Sequence, residues 1–248
     1  MLAVGQYDLE TVPMVVGGVQ TEAVYAVSER NAEPQRALAW LKRSQAAVTT
    51  LEARLGPYPL TSLGGIVPGV DTWWGGMETL GRPVYNPRLV GQDGVLYHEL
   101  AHMWLGDTVT LDRWQDIFLN EALASYTEWL ATADAAGTTP QAYFDELYRR
   151  SDRVGGFWDQ VLSDPGTRGL FTRVYDRGPM AVHALRVRMG DEAFFQFFKD
   201  WADRAGPHSL VQWRHAAQDA SPVDVRPLLA AWLDGSDKVP ASPEFGFR

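Results

Sequence analysis

A chain of 248 residues with a formal net charge of −9 is long enough to bury a sizeable core and lacks the basic surplus that a nucleic-acid partner requires. It contains no cysteine, so disulfides are excluded and any bound metal must be held by histidine, aspartate or glutamate. The sequence shows no signal peptide and no apolar stretch long enough to cross a membrane. We therefore expect a soluble protein with no membrane partner, in a compartment that the sequence does not indicate.

The first third of the chain is predicted to be rich in strands. Valine, tyrosine and threonine dominate residues 3–27, and the glycine pair at 17–18 is typical of a hairpin turn. A helical spacing of apolar residues begins at Pro34 and predicts a helix that stops at Gly56. Residues 57–90 return to short apolar runs broken by glycine and proline, which indicates strands and loops.

The remainder of the chain is predicted to be helical. Asp93 is a candidate cap for a helix over about 94–105, with Gly106 as its stop. Further helices are predicted over 117–135, 140–153, 178–189, 191–204, 209–219 and 224–233. The predicted organisation is a β-rich lobe with one helix over residues 1–90 and a helical lobe over residues 91–248 that carries the metal site.

The segment VLYHELAHMW carries two of the five histidines in the chain. His98 and His102 are four residues apart, so a helix places them on one face, one turn apart, where both can reach one zinc ion. Two core histidines with hydrogen-bonded nitrogens would show the same spacing. Glu121 follows His102 after 18 residues, which is room for a loop and a returning helix, and it supplies a third ligand. Glu99 is rotated by about 100° from His98 and is better placed to take a proton from the attacking water.

Four motifs in order make the chain similar to the catalytic domain of the M1 family of zinc aminopeptidases. Two are the His-Glu-x-x-His pair and the later glutamate. Upstream, WGGMET resembles the family pattern Gly-x-Met-Glu-Asn, with Thr79 in place of asparagine. Downstream, VYDRGPM resembles Tyr-x-Lys-Gly, with Arg177 in place of lysine. The resemblance implies an α+β, thermolysin-like (gluzincin) fold, with a small β-rich lobe and a mainly helical lobe. It also implies one zinc ion per chain, bound by His98, His102 and Glu121.

The same resemblance implies that the chain removes N-terminal residues from peptides. Glu99 would shuttle the proton, and the Tyr175 hydroxyl would donate a hydrogen bond to the oxyanion. Glu78 would bind the free α-amino group of the substrate. The substrate backbone would lie against a strand formed by Gly75, Gly76 and Met77.

Two other functions remain open from the sequence. A thermolysin-type endopeptidase would have no need of an amine anchor such as Glu78, and a zinc-containing peptide-binding domain without turnover would need neither Glu99 nor Tyr175. Taken alone, Glu78 also fits an exposed carboxylate in a turn, and Tyr175 fits an ordinary loop tyrosine. Full members of the family carry a β-rich domain before the catalytic one, so we expect that missing domain, besides peptides with free N-termini, as a partner of this chain.

Polar residues near the predicted zinc helices have less specific signals. An aspartate could hold the second ring nitrogen of a ligating histidine, although solvated loop carboxylates are the alternative; the candidates are Asp107, Asp112 and Asp116. The remaining histidines show no metal-ligand spacing and are expected to be ordinary helix or loop residues. They are His183, His208 and His215.

Overall fold

The computed structural model describes residues 2–16 and 19–248, and the chain divides into two compact units after Asp107. The glycine turn predicted at 17–18 lies outside the described residues. One unit is rich in strands and the other is mainly helical, so the predicted α+β class with a small β-rich lobe and a helical lobe is confirmed. In the part of the chain that the structure describes, no helix combines the length and apolarity that crossing a membrane requires.

The first unit is built on a five-stranded mixed sheet. Its strands in chain order are β1 (Tyr7–Val16), β2 (Val19–Ser28), β3 (Leu63–Val67), β4 (Gly76–Met77) and β5 (Val84–Tyr85). Their order across the sheet is β1-β2-β3-β5-β4, so β4 lies at an edge. The two outer pairings, β1 with β2 and β4 with β5, are antiparallel, and the inner pairings are parallel. The strands predicted before residue 28 are confirmed.

Three helices complete this unit: α1 (Pro34–Leu41), α2 (Ser44–Leu55) and α3 (Asp93–Ala101). The single helix predicted from Pro34 to Gly56 is wrong in one respect, because it is interrupted at residues 42–43. Immediately after the interruption, the hydroxyl of the buried Ser44 lies 2.9 Å from the hydroxyl of Tyr25 on β2. This contact joins the start of α2 to the sheet in the core of the first unit.

The start of α3 differs from the prediction. Asp93 is the first residue of the helix and does not cap it. Its carboxylate accepts a hydrogen bond of 3.1 Å from the Trp40 indole and pairs with Arg43. The carboxylate therefore binds α1 and the turn after it. The regular helix ends at Ala101, and turns lead on to Gly106. Because α3 contacts α2 and β4, it belongs to the first unit, which extends past the seam predicted between residues 90 and 91.

The second unit contains a small parallel sheet of β6 (Val109–Leu111) and β7 (Gly206–His208) surrounded by helices. The helices are α4 (Phe118–Ala136), α5 (Pro140–Ser151), α6 (Gly166–Gly169), α7 (Arg177–Met189), α8 (Asp191–Ala202), α9 (Leu210–Ala220) and α10 (Arg226–Leu229). The predicted helices are confirmed with shifts at their ends, and α10 continues into a π-helical turn over Ala230–Asp234. The helix α4 ends at Ala136 and is capped by Gly137, whose φ of 63° lies in the left-handed region that favours glycine after a helix.

Candidate metal centre

His98 and His102 are buried on successive turns at the end of α3. Their Nε2 atoms lie 3.2 Å apart. The Nδ1 atom of His102 lies 2.9 Å from the carbonyl oxygen of Leu105, and because a carbonyl can only accept, Nδ1 carries the hydrogen, which makes Nε2 the metal-binding nitrogen of the neutral ring. Two nitrogens bound to one tetrahedral zinc at about 2.0–2.1 Å would be roughly 3.3 Å apart. The separation of the two Nε2 atoms therefore matches that expected for two ligands of one zinc ion.

Glu121 lies in the first turn of α4 and is buried. Among the residues that the structure describes, His98, His102 and Glu121 form a group that could hold a metal ion. Each offers one ligand atom, and these atoms lie within 4.8 Å of one another. Two imidazole nitrogens and a carboxylate oxygen are a donor set that suits zinc, so the presence of Glu121 in this group favours a metal site over two histidines that merely fill a core.

Aspartates do not supply the partner of the second His102 nitrogen, because Leu105 does. The Asp107 carboxyl has its pKa raised to about 6 by burial, an effect that the charge of His102 opposes and that of Glu78 increases. Asp116 is buried in the second unit, where its Oδ1 accepts the backbone N–H of Leu210 at 3.1 Å. Asp116 thus supports the start of α9.

Gly76 has a structural role that its motif does not reveal. A Cβ atom added at this position would lie 2.0 Å from Oε1 and 2.2 Å from Cδ of Glu99. Glu99 is 6% exposed, and its carboxylate lies against the backbone of β4 in space that a side chain at position 76 would fill. The sequence suggested that this glycine serves close approach of a substrate, and the contact with Glu99 is a second reason for it.

The strand β4 lies at the edge of the sheet and carries Gly76 and Met77, with Gly75 directly before it and the half-buried Glu78 directly after it. An edge strand has one row of backbone groups available for an added strand. Thr79 then closes a tight turn, because its hydroxyl donates to the Arg82 carbonyl at 2.6 Å and its own carbonyl accepts the Arg82 N–H at 2.9 Å. Thr79 therefore helps to fix the end of this segment in place of the family asparagine.

Tyr175 lies in the turn immediately before α7 and is 45% exposed. Its ring stacks on Phe171 with centroids 6.4 Å apart and an angle of 13° between planes. Gly178, in the first turn of α7, is needed for close packing, because an added Cβ would lie 2.6 Å from Cβ of Ala122 on α4. Within the second unit, the motif with Tyr175 thus lies against the turn of α4 that carries Glu121.

Comparison with known proteins identifies the family. The model described as the peptidase family M1 domain matches residues 50–232, which is more than half of the chain. The chain belongs to peptidase family M1. The resemblance inferred from the four motifs is therefore confirmed.

Curated M1 relatives are much longer than this chain. Aminopeptidase N of Streptomyces lividans is 28% identical over 155 residues, which are 56% of this chain and 18% of the relative. Aminopeptidase N of Oryctolagus cuniculus is 56% identical over 162 residues, again 56% of this chain and 17% of the relative. The chain thus spans less than a fifth of the length of these two relatives.

Solved M1 structures have the same fold. A mutant M1 zinc metallopeptidase from Deinococcus radiodurans bound to a Tyr-Ser-Ala substrate matches with a TM-score of 0.81 and 25% identity, over 96% of this chain and 54% of that one. A two-domain M1 zinc metallopeptidase mutant bound to L-tryptophan matches with a TM-score of 0.83 and 25% identity, over 95% of this chain and 54% of that one. The chain spans about half the length of these structures.

Proposed function

We propose that the chain is the catalytic part of a zinc-dependent aminopeptidase that hydrolyses N-terminal residues from peptides. The observation that carries the proposal is the buried group of His98, His102 and Glu121, with the buried Glu99 directly after His98 in the sequence, in a chain of the M1 family. The names of the relatives and the tripeptide bound to the Deinococcus radiodurans mutant support the same substrate class.

The ligand set of two imidazoles and one carboxylate suits a catalytic zinc ion, because three protein ligands leave one coordination position open. When bound there, zinc would polarise the scissile carbonyl and lower the pKa of the attacking water. The hydrogen bond from His102 Nδ1 to Leu105 fixes the tautomer that this role needs.

Glu99 would remove the proton from the attacking water and pass it to the leaving amine. Two structural facts suit it to this role. It follows a proposed ligand directly in the chain, and its carboxylate is held against the Gly76 backbone. A base confined in this way needs little rearrangement before proton transfer, which is the condition for efficient general base catalysis.

Tyr175 and Glu78 would act on the substrate. The partly exposed hydroxyl-bearing ring of Tyr175 would donate to the oxyanion that forms when water attacks. Glu78 would bind the protonated α-amino group while the substrate backbone lies along β4. An anchor for the amine distinguishes an aminopeptidase from an endopeptidase, so Glu78 argues against the endopeptidase alternative. The presence of Glu99 and Tyr175 argues against a zinc-containing peptide-binding domain without turnover.

The deciding experiment compares kcat/KM for one peptide with a free and with an acetylated N-terminus. We expect the zinc-loaded wild-type protein to cleave the free peptide roughly a hundredfold faster or more, because acetylation removes the charge that Glu78 would bind. Glu78→Gln should reduce this ratio strongly. Glu29→Gln removes the same charge from an exposed position of the same unit and should leave the ratio unchanged. Equal cleavage of both peptides by the wild type would contradict the aminopeptidase function.

A further inference from the structure

Two arginines flank the tyrosine that is proposed to stabilise the oxyanion. Arg173 precedes Tyr175 by two residues and Arg177 follows it by two. Tyr175 is half exposed, whereas Arg177 is fully buried. The exposed ring of Tyr175 is therefore followed, two residues later, by an arginine side chain in the interior of the second unit.

Arg177 binds two separate segments of the chain, one at residues 158–160 and one at residues 232–235. Its Nη1 atom donates to the carbonyls of Trp158 at 2.9 Å and Gln160 at 2.5 Å, and its Nη2 atom donates to those of Trp232 at 3.0 Å and Gly235 at 2.7 Å. The guanidinium also lies over the Trp158 ring, 5.1 Å from its centroid. Burial lowers the pKa of Arg177 to about 10, which still leaves it charged at neutral pH.

The chemistry of this contact requires arginine. A guanidinium offers five N–H donors in a fixed plane, whereas the ammonium of lysine offers three donors from a single atom. Lysine, which the family pattern has at position 177, cannot reproduce four hydrogen bonds to carbonyls from two segments. The arginine that stands in place of the family lysine is therefore specific to this arrangement of carbonyls.

Arg173 fixes the other side of the turn. Its φ of 61° lies in the left-handed region, and it is the one non-glycine residue with a positive φ among those that the structure describes. Its Nη1 atom donates to Asp176 Oδ2 at 3.1 Å, and its guanidinium lies over the Phe157 ring, 5.2 Å from the centroid. Its carbonyl accepts the Arg177 N–H at 2.9 Å, and Asp176 Oδ1 accepts the same N–H at 2.6 Å. Side chain and backbone together close the turn that contains Tyr175.

We propose that Arg173 and Arg177 are positioning residues that hold the Tyr175 hydroxyl where the oxyanion develops. The proposal rests on the role proposed above for Tyr175. An unfavourable backbone conformation and a buried cation, both placed within two residues of one exposed phenol, are typical of a segment whose geometry serves the site. Small displacements of a catalytic group lower the rate steeply, so loosening either arginine should reduce kcat and leave substrate binding largely intact.

A double-mutant cycle tests the proposal through Arg177→Lys, Tyr175→Phe and the combination, assayed on an aminoacyl p-nitroanilide with zinc-loaded protein. We expect Arg177→Lys to lower kcat roughly tenfold to a hundredfold, with KM within about twofold of the wild type. In the Tyr175→Phe background, the same change should lower kcat by less than about threefold, because the hydroxyl that it positions is gone. Equal factors in both backgrounds would overturn the proposal.

Hydrogen exchange gives a readout that does not depend on activity. Arg177→Lys should accelerate exchange of the backbone amides of residues 174–178. If Arg177→Lys does not fold, Arg173→Lys replaces it in this experiment and should accelerate exchange of the same amides. Arg186→Lys is the matched control: Arg186 lies on the same helix and binds Asp191 at 2.8 Å, so its substitution should leave exchange at 174–178 and kcat unchanged. Unchanged exchange in Arg177→Lys would overturn the positioning role alone, whereas a normal kcat in Tyr175→Phe would overturn the role of Tyr175.

Discussion

The motifs around Glu99 and Tyr175 hold their proposed functional groups in opposite ways. Glu99 is itself buried, and its carboxylate is confined by the backbone at Gly76. Tyr175 has a partly exposed ring, and the buried side chain is that of its neighbour Arg177. A buried group is thus positioned by the atoms that touch it, whereas an exposed group depends on how firmly its main chain is held. Substitutions at each motif should reveal this difference.

The largest effect should come from Glu99→Gln. The amide is nearly isosteric with the carboxylate and cannot take the proton, so turnover should fall on the order of 10²–10⁴-fold while zinc content is retained. Activity assays and elemental analysis of the same preparation measure both quantities. His102→Ala is the matched variant for metal loss, and we expect it to lose most of its zinc. Activity within threefold of the wild type in Glu99→Gln would remove Glu99 from the mechanism.

Tyr175→Phe should have the next largest effect. It deletes one hydroxyl from a ring that is not part of the core, so the melting temperature should be unchanged. An oxyanion donor acts mainly in the transition state, and kcat should therefore fall roughly 10²–10³-fold with little change in KM. A raised KM with a normal kcat would show that Tyr175 serves substrate binding alone.

Gly76→Ala tests whether contact with the backbone positions Glu99. The new methyl would overlap the Glu99 carboxylate, so that side chain must move, and kcat should fall roughly tenfold to a hundredfold. Gly75→Ala is the matched comparison and should lower kcat less, because its methyl would meet Leu89 at 3.1 Å and not Glu99. Neither glycine has a positive φ, so both effects are steric. Equal kcat values in the two variants would contradict the positioning of Glu99 by β4.

The smallest effect concerns stability and lies at His183, in the core of the second unit. Its Nε2 atom lies 3.0 Å from Gln141 Oε1 and its Nδ1 atom 3.1 Å from the Tyr126 hydroxyl, so both nitrogens of the neutral ring are satisfied. Burial, reinforced by the charge of Arg186, lowers the pKa of His183 to about 3. Between pH 6.5 and pH 3, His183 is protonated in the unfolded chain and neutral in the native state. His183 should therefore make the free energy of unfolding fall by up to about 1.4 kcal/mol per pH unit between pH 6.5 and pH 3.

Urea unfolding at several pH values measures this contribution. Other groups also titrate in this range, so the informative quantity is the difference in slope between the wild type and His183→Gln. His215→Gln changes an exposed histidine of the same unit and should keep the wild-type slope. If His183→Gln also keeps the wild-type slope, His183 is protonated in the native state and the expected linkage is wrong.

The sequence predicts the elements that follow from local periodicity and fails where a distant residue intervenes. The helices of the second unit and the cap at Gly137 follow from apolar spacing and glycine. The cap at Asp93 is wrong because Trp40, far upstream in the chain, binds its carboxylate. The prediction could not anticipate this competition, because a capping rule considers only the residues next to the helix.

The same limit applies to the site. The spacing of His98 and His102 predicts a pair, and the structure brings their Nε2 atoms to 3.2 Å. The contact of Gly76 with Glu99 carries no periodic signal, because it depends on how β4 and α3 pack. The burial of Arg177 could not be predicted from the sequence either, although arginine in place of the family lysine singled out this position. The roles assigned to Glu78, Glu99 and Tyr175 remain predictions.

The four carbonyls bound by Arg177 have a consequence for how homologous chains can vary. They lie in the loop around residues 158–160 and in the turn at residues 232–235, so a change in the length of either segment would withdraw acceptors from a buried charge. Relatives with arginine at this position should keep both segments constant in length. Relatives with lysine, whose ammonium serves fewer acceptors, are free to insert or delete residues there. The identity of residue 177 should therefore covary with the lengths of two other segments of the chain.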